Sequence, residues 1–213
     1  MRKTIIATLG ALALGGCAVV TSDAPLFTAA DAVGGAVLRP GVWAMPSEAD
    51  CAFDQKAPRK DWPKCANATI VRPATFSNGA NDGPDGKDQT LNYLLTGGEP
   101  PVLQIMRPDS EKDGPPVIYA GLRVTTFDDQ HRATALRIWL ALCAKPATSG
   151  GNLSPGPTTL LPGLTLRPGG GQECYAKAKG PVRNAVKQSE IWIAGGGDKD
   201  LTLQAHWVRD GEE

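Results

Sequence analysis

The clearest pattern of hydrophobic and polar positions lies in two neighbouring stretches, 117–127 and 134–143. In both, an apolar residue recurs at every second position: Ile118, Ala120, Leu122 and Val124, then Leu136, Ile138, Leu140 and Leu142. Because side chains alternate across a strand, this period of two predicts a two-stranded antiparallel ribbon with one core face and a turn at 128–132. Ala, Leu and Arg also favour helices, so a helix over about 129–144 stays open as the alternative.

Turn-forming residues cut the rest of the chain into short apolar runs. These runs predict strands at 68–76 (interrupted by Pro73), 90–95, 102–107, 190–194 and 201–208, with an edge strand at 159–166 inside a long Pro- and Gly-rich loop over 145–170. The strands at 190–194 and 201–208 would form a hairpin that brings Trp192 near Trp207.

One helix is predicted over 181–189. Pro181 suits a first helical turn, where its missing N–H has no helical partner, and Val182, Ala185 and Val186 then share one face. The predicted strands and helices do not alternate along the chain, as they would in a parallel sheet with crossover helices. The elements therefore predict a mainly β (α+β) fold: a single antiparallel sheet or sandwich, or a partly closed barrel, with one short C-terminal helix and two disulfides.

The first 16 residues have the pattern of a secretory signal. Arg2 and Lys3 precede an apolar stretch over 4–14, which is shorter than the roughly 20 apolar residues that a membrane-spanning helix needs. The run Leu14-Gly15-Gly16-Cys17 then resembles the lipobox of bacterial lipoproteins. An ordinary secretory signal with a chance cysteine is the alternative.

The lipobox resemblance implies a membrane anchor. In that family the leader, here residues 1–16, is removed, and the cysteine, here Cys17, receives the acyl chains that hold the protein at the membrane. Ala18 follows Cys17 where an Asp would favour retention at the inner membrane, so the resemblance implies the periplasmic face of the outer membrane. Residues 17–40 are expected to be the lipidated cysteine and a flexible tether, and 41–213 a single β-rich periplasmic domain.

Charge points to no class of partner. The chain has 22 basic and 22 acidic residues, and no basic stretch suggests a nucleic-acid interface.

Four cysteines remain beyond Cys17: Cys51, Cys65, Cys143 and Cys174. An even number in an exported chain predicts disulfides. Of the three possible pairings we favour Cys51–Cys65 and Cys143–Cys174, because shorter loops close more readily.

Other candidate sites are weak. No two cysteines have the short spacing of a zinc motif, and the acidic segment 81–88 has Gly83 where a calcium loop needs an acid, so no metal is predicted. The glycine runs 169–171 and 195–197 lack the phosphate-loop pattern, and no cofactor is predicted. His131 and His206 are isolated, and a catalytic histidine would need a nucleophile and an acid from distant positions. No catalytic residue is therefore predicted.

Two further resemblances concern the mature chain. Gly41-Val42-Trp43 resembles the Gly-x-Trp motif on the first strand of lipocalins, which implies a barrel floor closed by Trp43 and an internal site for a small ligand. The mature pattern is also similar to uncharacterised proteobacterial envelope lipoproteins. The pieces that carry this similarity are Pro25-Leu26-Phe27, Pro40-Gly41-Val42-Trp43, Trp62-Pro63-Lys64-Cys65 and the segment from Cys174 to the helix.

The leading hypothesis is an outer-membrane-anchored periplasmic lipoprotein with a structural or interaction role and an envelope protein as its partner. The alternative is a lipocalin-like carrier of a small hydrophobic ligand. A periplasmic hydrolase is a third hypothesis, which requires His131 or His206 to meet a Ser, Asp or Glu in a cleft.

Overall fold

The computed structural model describes residues 19–48, 50–78, 89–107, 117–146, 159–167, 173–194 and 202–211. Within these ranges the strands are β1 (Val20–Ser22), β2 (Gly41–Ala44), β3 (Ala68–Arg72), β4 (Thr75–Asn78), β5 (Thr90–Leu95), β6 (Val102–Met106), β7 (Val117–Phe127), β8 (Ala133–Leu140), β9 (Leu164–Leu166), β10 (Cys174–Ala176) and β11 (Thr202–Arg209). The α-helix is α1 (Lys179–Ala194), and short 3-10 turns lie at Ala29–Ala32, Arg59–Asp61 and Lys64–Ala66.

Eight of these strands form a closed antiparallel barrel. The hydrogen-bonded order is β2, β3, β4, β5, β6, β7, β8 and β11, and β11 pairs back with β2. β1 pairs antiparallel with the start of β7 and parallel with β10, which in turn pairs with β9, so these three short strands extend the sheet beside the barrel. The mainly β prediction is confirmed, and the sheet is fully closed.

The inner face of the barrel is apolar. Its buried side chains form one contact cluster: Trp43, Val71, Tyr93, Leu95, Leu103, Ala120, Leu122, Ala133, Leu136 and Ala205. Because inward and outward residues alternate along each strand, the period of two in β7 and β8 marks this inner face. The strand prediction over β8 is confirmed against the helical alternative, since hydrogen bonds to β7 and β11 satisfy its backbone.

The outer face of the β7–β8 ribbon is buried as well, which differs from the expected single core face. α1 packs across it, and Trp139 on β8 is only 2% exposed. The indole Nε1 of Trp139 donates a hydrogen bond of 2.9 Å to the carbonyl of Val186. The predicted face of Val182, Ala185 and Val186 is fully buried against the barrel. The domain therefore has an inner core and a second core between barrel and helix.

The helix is longer than predicted. Residues 190–194, expected to be a strand, form its last turn, because Ile193 continues the buried face one turn beyond Ser189. The expected pairing of Trp192 with Trp207 is therefore wrong. Trp192 packs against Leu142 beside the helix, whereas Trp207 belongs to the barrel interior.

Residues 19–40 differ from the expected flexible tether. Phe27 is 2% exposed, and the buried side chain of Gln104 on β6 holds it. The Gln104 Oε1 accepts hydrogen bonds of 2.9 Å from the N–H groups of Leu26 and Phe27, and its Nε2 donates to the Phe27 carbonyl at 3.1 Å. The segment is therefore part of the fold. The composition of residues 19–40 did not predict this, because the residue that binds the segment lies 77 positions away from Phe27.

The favoured disulfide pairing is confirmed. Cys51–Cys65 closes a loop that packs Trp62 on the outer face of β2. Cys143–Cys174 joins the chain after β8 to β10. The first bond closes a loop on the outside of the barrel, and the second ties β10 to the segment that follows β8.

Candidate functional site

The segment 33–40 closes one end of the barrel. Leu38 forms a parallel bridge with Ala133 at the start of β8. The Ala133 N–H donates to the Val37 carbonyl at 2.7 Å, and the Arg39 N–H donates to the Ala133 carbonyl at 3.0 Å. The side chains of Ala36 and Leu38 pack into the interior cluster. We call this end, where β2 begins and β7 ends, the closed end.

An arginine and two tryptophans form the floor of the closed end. The Arg39 guanidinium carbon lies 3.5 Å from the ring centroid of Trp207, within the range of a cation–π contact. The indole Nε1 of Trp43 donates to the Arg39 carbonyl at 2.8 Å, and that of Trp207 donates to the Pro40 carbonyl at 3.1 Å. Trp43 and Trp207 pair directly across β2 and β11. Side-chain contacts to Trp43 and Trp207 and backbone hydrogen bonds to Ala133 therefore both hold the segment 33–40 in place.

Glycine is required next to this floor. Gly41 has a φ of +130°, and a Cβ added there would lie 2.3 Å from the carbonyl oxygen of Arg209 and 2.9 Å from Trp207 Nε1. Such a backbone conformation favours glycine, and the close approach of the β11 backbone leaves no room for a side chain. The Gly-Val-Trp sequence thus has a local structural reason at the floor of this barrel.

The charge of Arg39 is balanced by two carboxylates. Its guanidinium lies 3.1 Å from Asp210 and 3.7 Å from Asp128. Burial alone would raise the pKa of Asp128, but hydrogen bonds from the backbone N–H and the side chain of Arg132 outweigh it and lower the pKa below its ordinary value. The floor is consequently a neutralised ion network.

Three apolar side chains are exposed on the segment 33–40 and at the end of β7: Val33 at 81%, Val37 at 62% and Phe127 at 43% exposure. Val37 and Phe127 both flank Ala133, the first through the hydrogen bond above and the second as its cross-strand partner. We call Val33, Val37 and Phe127 the closed-end patch. Exposed apolar side chains that group into a contiguous patch are typical of interaction sites.

His131 belongs to the border of the closed-end patch. It lies in the turn between β7 and β8 with a left-handed φ of 59°. Its ring stacks on Phe127 at a centroid distance of 4.6 Å and an angle of 3°. The stack gives His131 a structural role in the turn.

His206 lies elsewhere, on the outer face of β11. Its Nε2 is 3.4 Å from the amide of Gln55 in the loop closed by Cys51 and Cys65. Burial lowers the pKa of His206, which favours the neutral ring. The structure does not bring His131 and His206 together, and the contacts described for them are an aromatic ring and an amide.

The remaining candidate sites fall largely outside the described residues. Cys17, the acidic segment 81–88 and the glycine runs 169–171 and 195–197 all lie there. Within the described ranges, no three His, Cys, Asp or Glu residues lie together as a metal site would require.

Two further regions of the barrel are partly open to solvent. Met45, Ile105 and Ile138 pack against the interior apolar cluster but are only partly buried. On the outside, a shallow groove of about 380 Å³ runs beside the end of α1, and its lining residues are Arg137, Ile193, Ala194, Thr202 and Gln204. The first region is apolar, and the second is lined by polar and apolar side chains.

Sequence reasoning missed the residues that build the closed end. Arg39 lay in the expected tether, and its partners Trp207 and Asp210 come from the other end of the chain. The only local signal was Gly41-Val42-Trp43, which marks the strand above the floor.

Comparisons with known proteins add no relative. No protein-family model matches the chain, and neither the curated proteins nor the solved structures contain a match. Among the helices that the structure describes, none is long and apolar enough to cross a membrane.

Proposed function

We propose that this chain is a lipid-anchored protein of the periplasmic face of the outer membrane, with a structural or interaction role. The observation that carries the proposal is the use of its five cysteines. Four of them form two disulfides, which suit an oxidising compartment, and the fifth is Cys17 at the end of Leu14-Gly15-Gly16-Cys17. The lipobox resemblance therefore accounts for the one cysteine that these bonds leave over.

The packed barrel supports an interaction role. Its interior is filled by apolar side chains such as Trp43 and Leu122, at 2% and 0% exposure, so the barrel serves as a rigid scaffold. The closed-end patch is then displayed on a floor that hydrogen bonds and ion pairs hold in place. An apolar surface presented in this way fits a protein partner in the envelope.

The anchor is tested on the full chain in its native membrane. The N-terminal peptide of the mature protein should begin at Cys17 and carry the mass of the acyl chains. The protein should fractionate with the outer membrane and require detergent for extraction. Cys17→Ser should abolish the acyl mass and the membrane attachment. An unmodified Cys17 in membrane-bound protein would refute the anchor.

The interaction role is tested by photo-crosslinking in cells. A photoreactive amino acid at Val37 should capture one discrete envelope protein, and Phe127→Ser should weaken that capture. The matched control is the same amino acid at Asn92, which is exposed on the outer face of β5 and lies level with the start of β7, at the opposite end of the barrel from the closed-end patch. Equal adduct patterns at both positions would show random collision and count against the proposal.

A lipocalin-like carrier is the second candidate. The closed eight-stranded barrel and the partly exposed Met45, Ile105 and Ile138 favour it. A carrier should bind a hydrophobic fluorescent probe saturably, and Ala120→Phe should reduce this binding, because Ala120 points into the barrel. A filled scaffold should not bind the probe. Ala120→Phe should then cost about 1–3 kcal/mol of unfolding free energy through overpacking.

A further inference from the structure

The point where the chain enters the described fold is well defined. Val19 bridges to Leu142 on one side, and on the other its carbonyl accepts a hydrogen bond of 3.1 Å from the N–H of Cys174. The next residue, Val20, is completely buried and donates to the Ala141 carbonyl at 2.8 Å. The chain is therefore firmly attached to the side of the barrel from Val19 onwards.

Cys17 precedes this attachment by only two residues. An extended chain spans at most about 3.3–3.6 Å per residue, so the Cα of Cys17 lies within about 7 Å of that of Val19. Because residues 19–40 are part of the fold, no long spacer separates a lipid on Cys17 from the domain. A lipid on Cys17 would therefore bring the surface around Val19 to the membrane.

Apolar side chains of α1 border this entry point. The Leu142 N–H donates to Ser189 Oγ at 2.8 Å, and Leu142 packs against Trp192 and Ile193 in the last helical turn. Ile191, in the same turn, is 54% exposed. Trp and large aliphatic side chains are favoured at the membrane–water boundary.

The acidic side chains of Asp23, Glu173 and Glu190 near this surface are each paired with an arginine. The carboxylate of Glu190 is held by Arg123 and by Arg137, whose Nη2 lies 3.0 Å from it. Lys187 is exposed one turn before Ile191 on the same side of α1, where its long stem can lie along apolar surface while the ammonium reaches lipid headgroups.

The other border of the entry point is also apolar. β10 lies beside β1, and β9 lies beside β10, with Leu166 opposite Cys174. At about 4.8 Å per strand, Leu166 is roughly 10 Å from β1. Its side chain is 62% exposed. Exposed apolar groups therefore flank Val19 on both sides.

We infer that Leu166, Ile191 and Trp192 form the face of the domain that rests on the bilayer. The inference rests on the anchor proposed above and adds an orientation to it. Leu142, beside Val19, and Ala133, at the closed end, lie nine residues apart along the extended chain of β8. At about 3.3 Å per residue they are separated by roughly 30 Å, so the closed-end patch is held away from the membrane and available to a partner.

The test compares two fluorophore positions in the full lipidated chain. Ile191→Cys and Val37→Cys are labelled with the environment-sensitive dye NBD and reconstituted in lipid nanodiscs, where dithionite reaches both faces. The two positions are matched, because the native side chains are 54% and 62% exposed. Native cysteines do not compete, since four form disulfides and lipidation blocks the fifth. The mass of the N-terminal peptide is recorded for each variant.

We expect blue-shifted emission and slow dithionite bleaching at position 191, with water-like emission and fast bleaching at 37. If Cys17 is acylated but both positions bleach equally fast, or 37 is the shielded one, the orientation is wrong while the anchor stands. If no acyl mass is found on Cys17, the anchor fails and the orientation falls with it.

Discussion

Gly121→Ala tests how closely α1 packs on the barrel. Gly121 lies on the outer face of β7, and a Cβ added there would meet the Trp139 ring at 2.5–2.6 Å and Val186 Cγ1 at 2.5 Å. Carbon atoms in contact prefer about 3.5–4.0 Å, so both neighbours would have to retreat by roughly 1 Å. Neither can do so easily, because Trp139 is 2% and Val186 0% exposed, and a hydrogen bond joins them.

We expect Gly121→Ala to lower the free energy of unfolding by about 1–3 kcal/mol, the usual cost of overpacking. The assay is urea unfolding with both disulfides intact, followed by tryptophan fluorescence, to which Trp139 contributes as one of five tryptophans. The transition should move to lower urea with little change in its slope, since the surface exposed on unfolding stays nearly the same.

Gly180→Ala is the matched control. The same methyl group is added in the first turn of α1, where it meets nothing within 4 Å. Ala favours helix over Gly by up to about 1 kcal/mol, so this variant should equal or exceed the native stability. If Gly121→Ala were as stable as Gly180→Ala, α1 would not press on β7 as described, and the second core would be refuted.

Three further predictions concern cross-links between distant segments. Replacing Cys143 and Cys174 with Ala should cost about 3.7 kcal/mol in the chain-entropy account for a separation of 31 residues, measured by urea unfolding, and more than loss of the 14-residue bond at about 3.0 kcal/mol. Arg39→Ala should lose about 2 kcal/mol with the cation–π contact and change the near-UV circular dichroism; an unchanged spectrum would contradict the floor. A hydrogen bond from Lys179 lowers the pKa of Asp31 to about 2, so the stabilisation by this pair should be complete above pH 4 and decline as the pH falls towards 2. Lys179→Met should raise the pKa of Asp31 towards its ordinary value in a carboxyl NMR titration, and no change would exclude the pairing.

Local patterns determined much of the strand content. The alternation in β7 and β8, the break at Pro73 and the turns around β5 and β6 predict those strands, because burial of one face imposes a period of two on the sequence itself. The first turn of α1, which begins at Lys179 and contains Pro181, and the disulfide pairing follow from similarly short-range arguments. The end of α1 does not follow from local patterns. Residues 190–194 fit either a strand or a helix, and the packing of Ile193 against the barrel decides for the helix.

Tertiary structure alone decided how these elements are assembled. Barrel closure depends on β11 pairing with β2, across most of the length of the chain, and no local pattern encodes that pairing. The segment 19–40 looks flexible by composition, yet Gln104 holds it to the barrel through hydrogen bonds that only the fold brings within reach. The run Leu14-Gly15-Gly16-Cys17, which carries the lipobox resemblance, can be recognised from the sequence alone. The face that would meet the membrane emerges only when Val19 is placed beside Leu142 and the last turn of α1, because contacts between residues far apart in the chain are set by the closed sheet.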